Sequence, residues 1–220
     1  MNNSKIRGEL IENRIVIWNI EHARQLFRNG FYGKPLGIPK PKGDDFNAPL
    51  ILDLIEGYYL AKKGMLEIYT GNRIGTNSKH STIEEEKSRN SNSIININAY
   101  NTAKDHSLRV VSLKEMTSIC RKEYAHFDSK YMVFAALRDK GYVVTPGIKF
   151  GCDFAVYEHG PGIDHAPYLV QVVNPSDMLT ATMVVLYGRL ATTVRKQFIL
   201  AIARVKEKSV VFLAFDWWRA

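Results

Sequence analysis

The spacing of apolar residues changes several times along the chain, and each change marks an element. From Gly8 to Trp18 two apolar runs flank Glu12-Asn13, which predicts a hairpin. Ile20 to Asn29 takes up helical spacing through Ala23, Leu26 and Phe27 and stops at Gly30. Phe31 to Asp45 holds three prolines and three glycines and reads as an irregular loop. Leu50 to Lys63 returns to helical spacing and ends at Gly64. Met65 to Tyr69 alternates as a strand.

Residues 72–108 break this order. Seven Asn and six Ser, with the run Glu84-Glu-Glu-Lys-Ser-Arg-Asn-Ser-Asn-Ser93, leave little to bury. The segment is expected to be a polar, mobile insertion, with Ile94-Ile-Asn-Ile-Asn98 able to pair only transiently as an edge strand. Ordered patterning resumes at Ser112-Leu-Lys-Glu115, a capping-box sequence that predicts a helix through Arg121. Asp128 or Ser129 is expected to cap a second helix, Lys130 to Lys140, ended by Gly141. Strands follow at Tyr142 to Val144, Lys149 to Tyr157 and Tyr168 to Val173, then a long helix from Ser176 to Arg195. Gln197 to Val205 and Ser209 to Trp217 complete a hairpin turning at Lys206-Glu-Lys208. The predicted fold class is α+β, in three parts. Residues 1–71 form a small N-terminal α+β domain, 72–108 the insertion, and 109–220 a C-terminal mixed-sheet, nuclease-like domain flanked by helices.

Composition narrows the function classes. An apolar fraction of 45% and a mean hydropathy of −0.19 suit a soluble, cytoplasmic chain. There is no 18-residue apolar run to cross a membrane and no signal-type N-terminus. Cys120 and Cys152 stand outside any CxxC pair and are expected to be reduced. The six histidines form no HxxxH or HExxH pair. His159 and His165 share a loop without a cluster to complete a metal site, so neither metal nor cofactor is expected. Net charge is +8, and residues 109–220 carry 15 basic against 10 acidic groups, which points to a polyanionic partner.

In that basic part Tyr157, His165 and Lys196 fall on three different predicted elements. A phenol can take a proton from a ribose 2′-hydroxyl, an imidazole can return one to the leaving oxygen, and an ammonium can stabilise a phosphorane. Unperturbed phenols titrate near ~10 and imidazoles near ~6.5, so a tyrosine base needs nearby cations while a histidine acid does not. On residues alone each has a plain structural reading. Tyr157 suits strand packing, His165 is a loop histidine with His159 as its rival, and Lys196 suits a helix C-terminus.

Context decides among these readings. The string from Tyr131 through Tyr157, the block His165-Ala-Pro-Tyr-Leu-Val170 and the block Gly188-Arg-Leu-Ala-Thr-Thr-Val-Arg-Lys196, in that order, resemble the archaeal tRNA-splicing endonuclease family. The resemblance covers most of 109–220 and extends more weakly over Arg7–Tyr69. It implies a metal-independent endoribonuclease that cuts precursor tRNA at bulge–helix–bulge junctions, leaving 2′,3′-cyclic phosphate and 5′-hydroxyl ends. It assigns Tyr157 as general base, His165 as general acid and Lys196 as phosphorane stabiliser. The loop between Tyr157 and His165 is slightly shorter than the family leads one to expect. The resemblance further implies that Arg189, with Arg219 as the other candidate, sandwiches a flipped bulge base, and that Lys34, Lys40 and Lys42 form a basic loop contacting RNA.

One catalytic repeat per chain against two cuts per intron implies an oligomer. Homotetramers of the family dock through an acidic loop near the C-terminal hairpin, whereas Lys206-Glu-Lys208 is net basic. The expected assembly is therefore a heterotetramer of two such chains with two structural subunits, with a homo-oligomer as the alternative. The alternatives are a non-catalytic structural RNA-binding subunit, which would lack one or more of the three residues, and a metal-dependent DNA nuclease of similar topology, which chelation would inhibit.

Overall fold

The computed structural model describes residues 5–39, 41, 43–71 and 108–215. Two sheets carry the chain. The first opens with β1 (Ile6–Ile11) and β2 (Arg14–Ile17), the predicted hairpin, with Leu10 opposite Ile15. Helix α1 (Ile20–Arg28) follows, with Asn19 accepting the His22 N–H at its start. Its inward stripe of Ala23, Leu26 and Phe27 is buried, as the spacing predicts.

Two expectations fail in this unit. Lys34–Pro35 forms a two-residue strand, β3, inside the segment predicted to be irregular. Leu50–Asp53 is a strand, β4, rather than the first turn of a helix. Leu50 and Leu52 alternate inward, and β4 pairs antiparallel with β2, Val16 opposite Ile51. The helix starts only where Asp53 caps it. Its carboxylate accepts the Ile55 N–H at 3.0 Å while Glu56 reaches back to the Asp53 N–H at 2.9 Å, which begins α2 (Leu54–Lys62). Strand β5 (Leu66–Gly71) runs parallel to β1.

The 72–108 insertion lies outside the described residues except for Leu108. That residue opens β6 (Leu108–Val110), which pairs antiparallel with β5. The boundary expected at 109 thus falls within a strand of the first sheet, whose order is β3-β4-β2-β1-β5-β6. Helix α3 (Leu113–Glu123) then packs on α2, with Thr117 donating to the Tyr58 hydroxyl at 3.1 Å. Only half of its predicted capping box forms. Ser112 accepts the Glu115 N–H, but the Glu115 carboxylate turns to Arg109 at 2.6 Å.

Helix α4 (Phe127–Asp139) begins three residues earlier than expected, after His126 in the left-handed region at φ 58°. Neither predicted cap acts as one. Asp128 pairs with Arg121, and Ser129, buried, donates to the Asn174 side chain at 2.6 Å. Burial of Phe127 supplies the reason for the earlier start.

The second sheet, ordered β11-β10-β9-β8-β7, contains β7 (Val143–Pro146), β8 (Phe154–Tyr157), β9 (Tyr168–Val173), β10 (Gln197–Arg204) and β11 (Ser209–Phe215). The strand predicted from Lys149 starts only at Phe154, because Ile148–Phe150 is a 3-10 turn and Asp153 is held by the Val172 N–H and the Gln171 amide. Helix α5 (Ala181–Thr193) is shorter than predicted. Asp177 accepts the Asn174 N–H in a local turn, and Thr180 caps the helix.

One buried cluster runs from Ile15 and Leu50 of the first sheet through Phe134 to Val170 and Ala201 of the second. Arg138, buried on α4, ties the two halves. It donates to Gly30 O at 2.6 Å and Val144 O at 3.1 Å, lies 4.2 Å above the Tyr32 ring, and faces the Glu56 carboxylate at 3.8 Å. Burial lowers the Arg138 pKa and raises that of Glu56, and their mutual attraction opposes both shifts.

Candidate active site

Strand direction decides which residues meet. β8 runs antiparallel to β9, and β10 runs parallel to it, so the end of β8 and the beginnings of β9 and β10 share one edge of the sheet. Val156 and Gln197 both register with Tyr168, one on each side. Tyr157, the last residue of β8, and Lys196, just before β10, therefore flank the segment His165-Ala166-Pro167. At about 4.8 Å per strand spacing their backbones stand roughly 10 Å apart, with the histidine's segment between them.

Lys196 is delivered by the way α5 stops. The Arg195 N–H reaches Thr192 O and the Lys196 N–H reaches Ala191 O at 2.8 Å, with Arg195 left-handed at φ 53°. These are the two bonds of a Schellman stop, built on arginine where glycine would be unstrained. The chain leaves the helix directly into β10, and Gln197 N–H bonds Pro167 O at 2.8 Å. The Lys196 ammonium then donates to Ala166 O at 2.5 Å and lies 5.4 Å from the Phe150 ring centroid. It is thus bonded to the residue that follows His165.

Tyr157 is half-buried, its ring set against a small core that includes Leu169, Phe198 and the buried Ala166. His165 is exposed at the end of a loop that folds on itself. The Asp164 carboxylate accepts the N–H groups of Glu158 and His159 at 3.1 Å and of Gly160 at 2.8 Å. Burial pushes the Asp164 pKa up, but the three N–H donors together outweigh it and hold the carboxyl below its ordinary range. Gly160 has φ +133°, and a Cβ there would stand 2.4 Å from the Phe31 ring. His159 is also exposed on this loop.

Arg189 is exposed on α5, seven residues before Lys196 and about 10 Å from it along the helix direction. An open cleft of about 390 Å³ begins at Lys196 and is lined by Gly188, Thr192, Arg195 and Phe215 among others. Lys34 is exposed on β3. Lys40, Lys42 and Arg219 lie outside the described residues. Pro41, between those two lysines, has its carbonyl oxygen 3.8 Å from where a Cβ on Gly162 would stand, so the proline-rich segment reaches the loop carrying His165. Among the described residues no three His, Cys, Asp or Glu side chains are grouped to hold a metal ion, and no helix is long and apolar enough to cross a membrane. Sequence reading missed Asp164 and Phe31. An aspartate closing a Gly-Pro-Gly loop was the available signal for the first; the Phe31 contact joins residues 129 positions apart and left none.

Two family models match the chain. The tRNA intron endonuclease N-terminal domain matches residues 6–78, and the tRNA intron endonuclease catalytic C-terminal domain matches residues 127–212, a span that contains Tyr157, His165, Arg189 and Lys196. The chain is also similar to relatives that carry the name tRNA-splicing endonuclease. That of Hyperthermus butylicus is 39% identical over 96% of this chain and 98% of its own length. That of Sulfurisphaera tokodaii is 36% identical over 96% and 97%. That of Saccharolobus islandicus is 33% identical over 96% and 98%. With both halves matched in order and relatives aligned along nearly the whole length, the chain belongs to the tRNA intron endonuclease family.

Proposed function

We propose that this endonuclease is the catalytic subunit of a tRNA-splicing enzyme, cutting precursor tRNA at bulge–helix–bulge junctions by acid–base catalysis. The observation that carries the reading is the shared sheet edge on which Tyr157, His165 and Lys196 end up, with the Lys196 ammonium bonded next to the histidine. The Tyr157 phenolate accepts the proton of the 2′-hydroxyl at the cut site, and the freed oxygen attacks the adjacent phosphorus. Charge gathers on the non-bridging oxygens, where the Lys196 ammonium stabilises it. His165 protonates the departing 5′-oxygen. The products are a 2′,3′-cyclic phosphate and a 5′-hydroxyl.

Arg189 and Arg219 would stack on a flipped base, and Lys40 and Lys42 would contact phosphates. The assembly we propose pairs two such chains with two structural subunits. Its support is the single catalytic repeat and the basic Lys206-Glu207-Lys208 turn.

The test is cleavage of an intron-containing precursor tRNA in EDTA, with and without co-purifying subunits, and chemical identification of the ends. Cutting at both junctions with cyclic-phosphate ends, slowed about 10²–10⁴-fold by His165→Ala, is the expected result. Failure to cut under either condition assigns the chain a structural role, and chelator sensitivity points to metal-dependent chemistry.

A further inference from the structure

The loop between the phenol and the imidazole carries its own internal anion. Successive backbone N–H groups at Glu158, His159 and Gly160 converge on one point, the kind of concavity that binds phosphate or carboxylate groups. Here the Asp164 carboxylate fills it, one oxygen taking two of the N–H groups and the other taking the third. The clasp is reinforced from the opposite direction by the Asp164 N–H and the Ile163 N–H, both donating to Gly160 O at 3.1 Å. Pro161 bridges to Asp164 within the same turn. Gly160 and Gly162 supply the left-sided backbone that so tight a closure requires.

The closure has a direction. Its N-terminal end is one residue after Tyr157 and its C-terminal end is the residue before His165. After His165 the chain is fixed again, because Ala166 is buried and its carbonyl accepts the Lys196 ammonium. The histidine is therefore the one exposed residue between two anchored neighbours. We propose that Asp164 is the positioning residue for His165, setting the imidazole's place over the cut site through the backbone rather than by touching substrate. An imidazole displaced by as little as 1 Å transfers its proton less well, and such a displacement costs up to about a hundredfold in rate. The inference rests on the proposed acid role of His165.

It also predicts how the loss is distributed. On the proposed reading RNA binding draws on Arg189, Lys40 and Lys42, whereas the Asp164 carboxylate is turned inward onto the loop's own amides. Removing it should spare KM and lower kcat.

The experiment uses the assembled endonuclease with its co-purifying subunits and a precursor tRNA substrate. It compares wild type, Asp164→Ala, His165→Ala and the double variant, each checked for native far-UV circular dichroism. The expected result is a kcat lowered about 10- to 100-fold by Asp164→Ala with KM within threefold, and no further loss when Asp164→Ala is added to His165→Ala. Asp164→Asn, whose single amide oxygen serves only part of the N–H set, should fall between wild type and Asp164→Ala. Should Asp164→Ala fail to fold, Asp164→Asn decides on the same criteria.

A kcat within twofold of wild type overturns the inference, and so do losses that add fully to those of His165→Ala. If His165→Ala itself cuts as fast as wild type, the cleavage chemistry is what fails, and the two failures are distinguished within one set of measurements.

Discussion

Gly160→Ala isolates the contact between the histidine's loop and the first half of the chain. The added methyl would meet the Phe31 ring at 2.4 and 2.6 Å, and the backbone would have to hold φ +133°, which side chains with a Cβ rarely adopt. The conformational cost is about 1–3 kcal/mol, and the overlap adds about 1–3 kcal/mol. Phe31 cannot swing aside freely, because its ring packs edge-on against Phe27 at 5.1 Å. Gly162→Ala is the internal control. Its φ is +91°, but the nearest atom to the new methyl is Pro41 O at 3.8 Å, so only a backbone cost of about 1–2 kcal/mol applies. The smallest cost computed for Gly160→Ala, about 2 kcal/mol, is released most easily by moving the loop. If it falls wholly on the productive geometry it corresponds to roughly a 30-fold slower cut. Single-turnover cleavage with saturating enzyme, beside urea melts of both variants, measures it. Gly160→Ala cutting within twofold of wild type, or Gly162→Ala doing equal harm, would refute the reasoning.

Arg138→Met leaves the buried Glu56 carboxylate without its counter-charge and two carbonyls without the guanidinium donor; denaturant unfolding should show a loss of about 3–5 kcal/mol, and a loss under 1 would contradict the tie between halves. Lys63 and the Tyr59 hydroxyl hold the Asp139 carboxyl below its ordinary value near 3.8, so the unfolded chain binds that proton more readily. Stability from this site is present above about pH 4 and is lost as pH falls through the lowered pKa. Asp139→Asn should flatten the acid limb of the stability curve, and an unchanged limb would count against it. Glu56 acts with the opposite sign: burial raises it, so its contribution weakens as pH climbs past 4.5 toward the raised value. Burial pushes the Cys152 thiol up to about 11 and the Cys120 thiol up to about 12. At pH 8 roughly one molecule in a thousand or fewer carries the reactive thiolate at either position. Iodoacetamide should modify neither until the chain unfolds, and rapid labelling of the native protein would contradict their burial.

Sequence patterning captured elements whose signals are local. The Glu12-Asn13 turn, the inward stripe of α1 and the basic turn between β10 and β11 needed no knowledge of partners. Misreadings arose where two signals overlapped or a distant partner intervened. Leu50 and Leu52 alternate with each other yet stand at helical spacing from Leu54 and Ile55, and only pairing with β2 makes them a strand. Glu115 is correctly spaced for a capping box but is captured by Arg109. Ser129 looks like a cap and is instead buried against Asn174. For the site, side-chain chemistry and order along the chain were legible in the blocks around Tyr157, His165 and Lys196. Their proximity was not, because it depends on β10 inserting parallel to β9 after a helical crossover. The Asp164 clasp and the Phe31 contact belong to the same category of tertiary information.

The helix stop at Arg195 separates the two ends of α5 in what they tolerate. An extra residue near Thr180 can be taken up in the exposed stretch before the helix, leaving the last turn and Lys196 where they are. An extra residue between Val194 and Gln197 has no such outlet. It would shift β10 by one position against β9, turning Phe198 and Leu200 from their own cluster to the opposite face, where the small Ala201 and Ala203 now pack, and carrying the ammonium off Ala166. Insertions in this stretch should therefore be tolerated only on the upstream side, where the ammonium keeps its address while the connection ahead of it changes length.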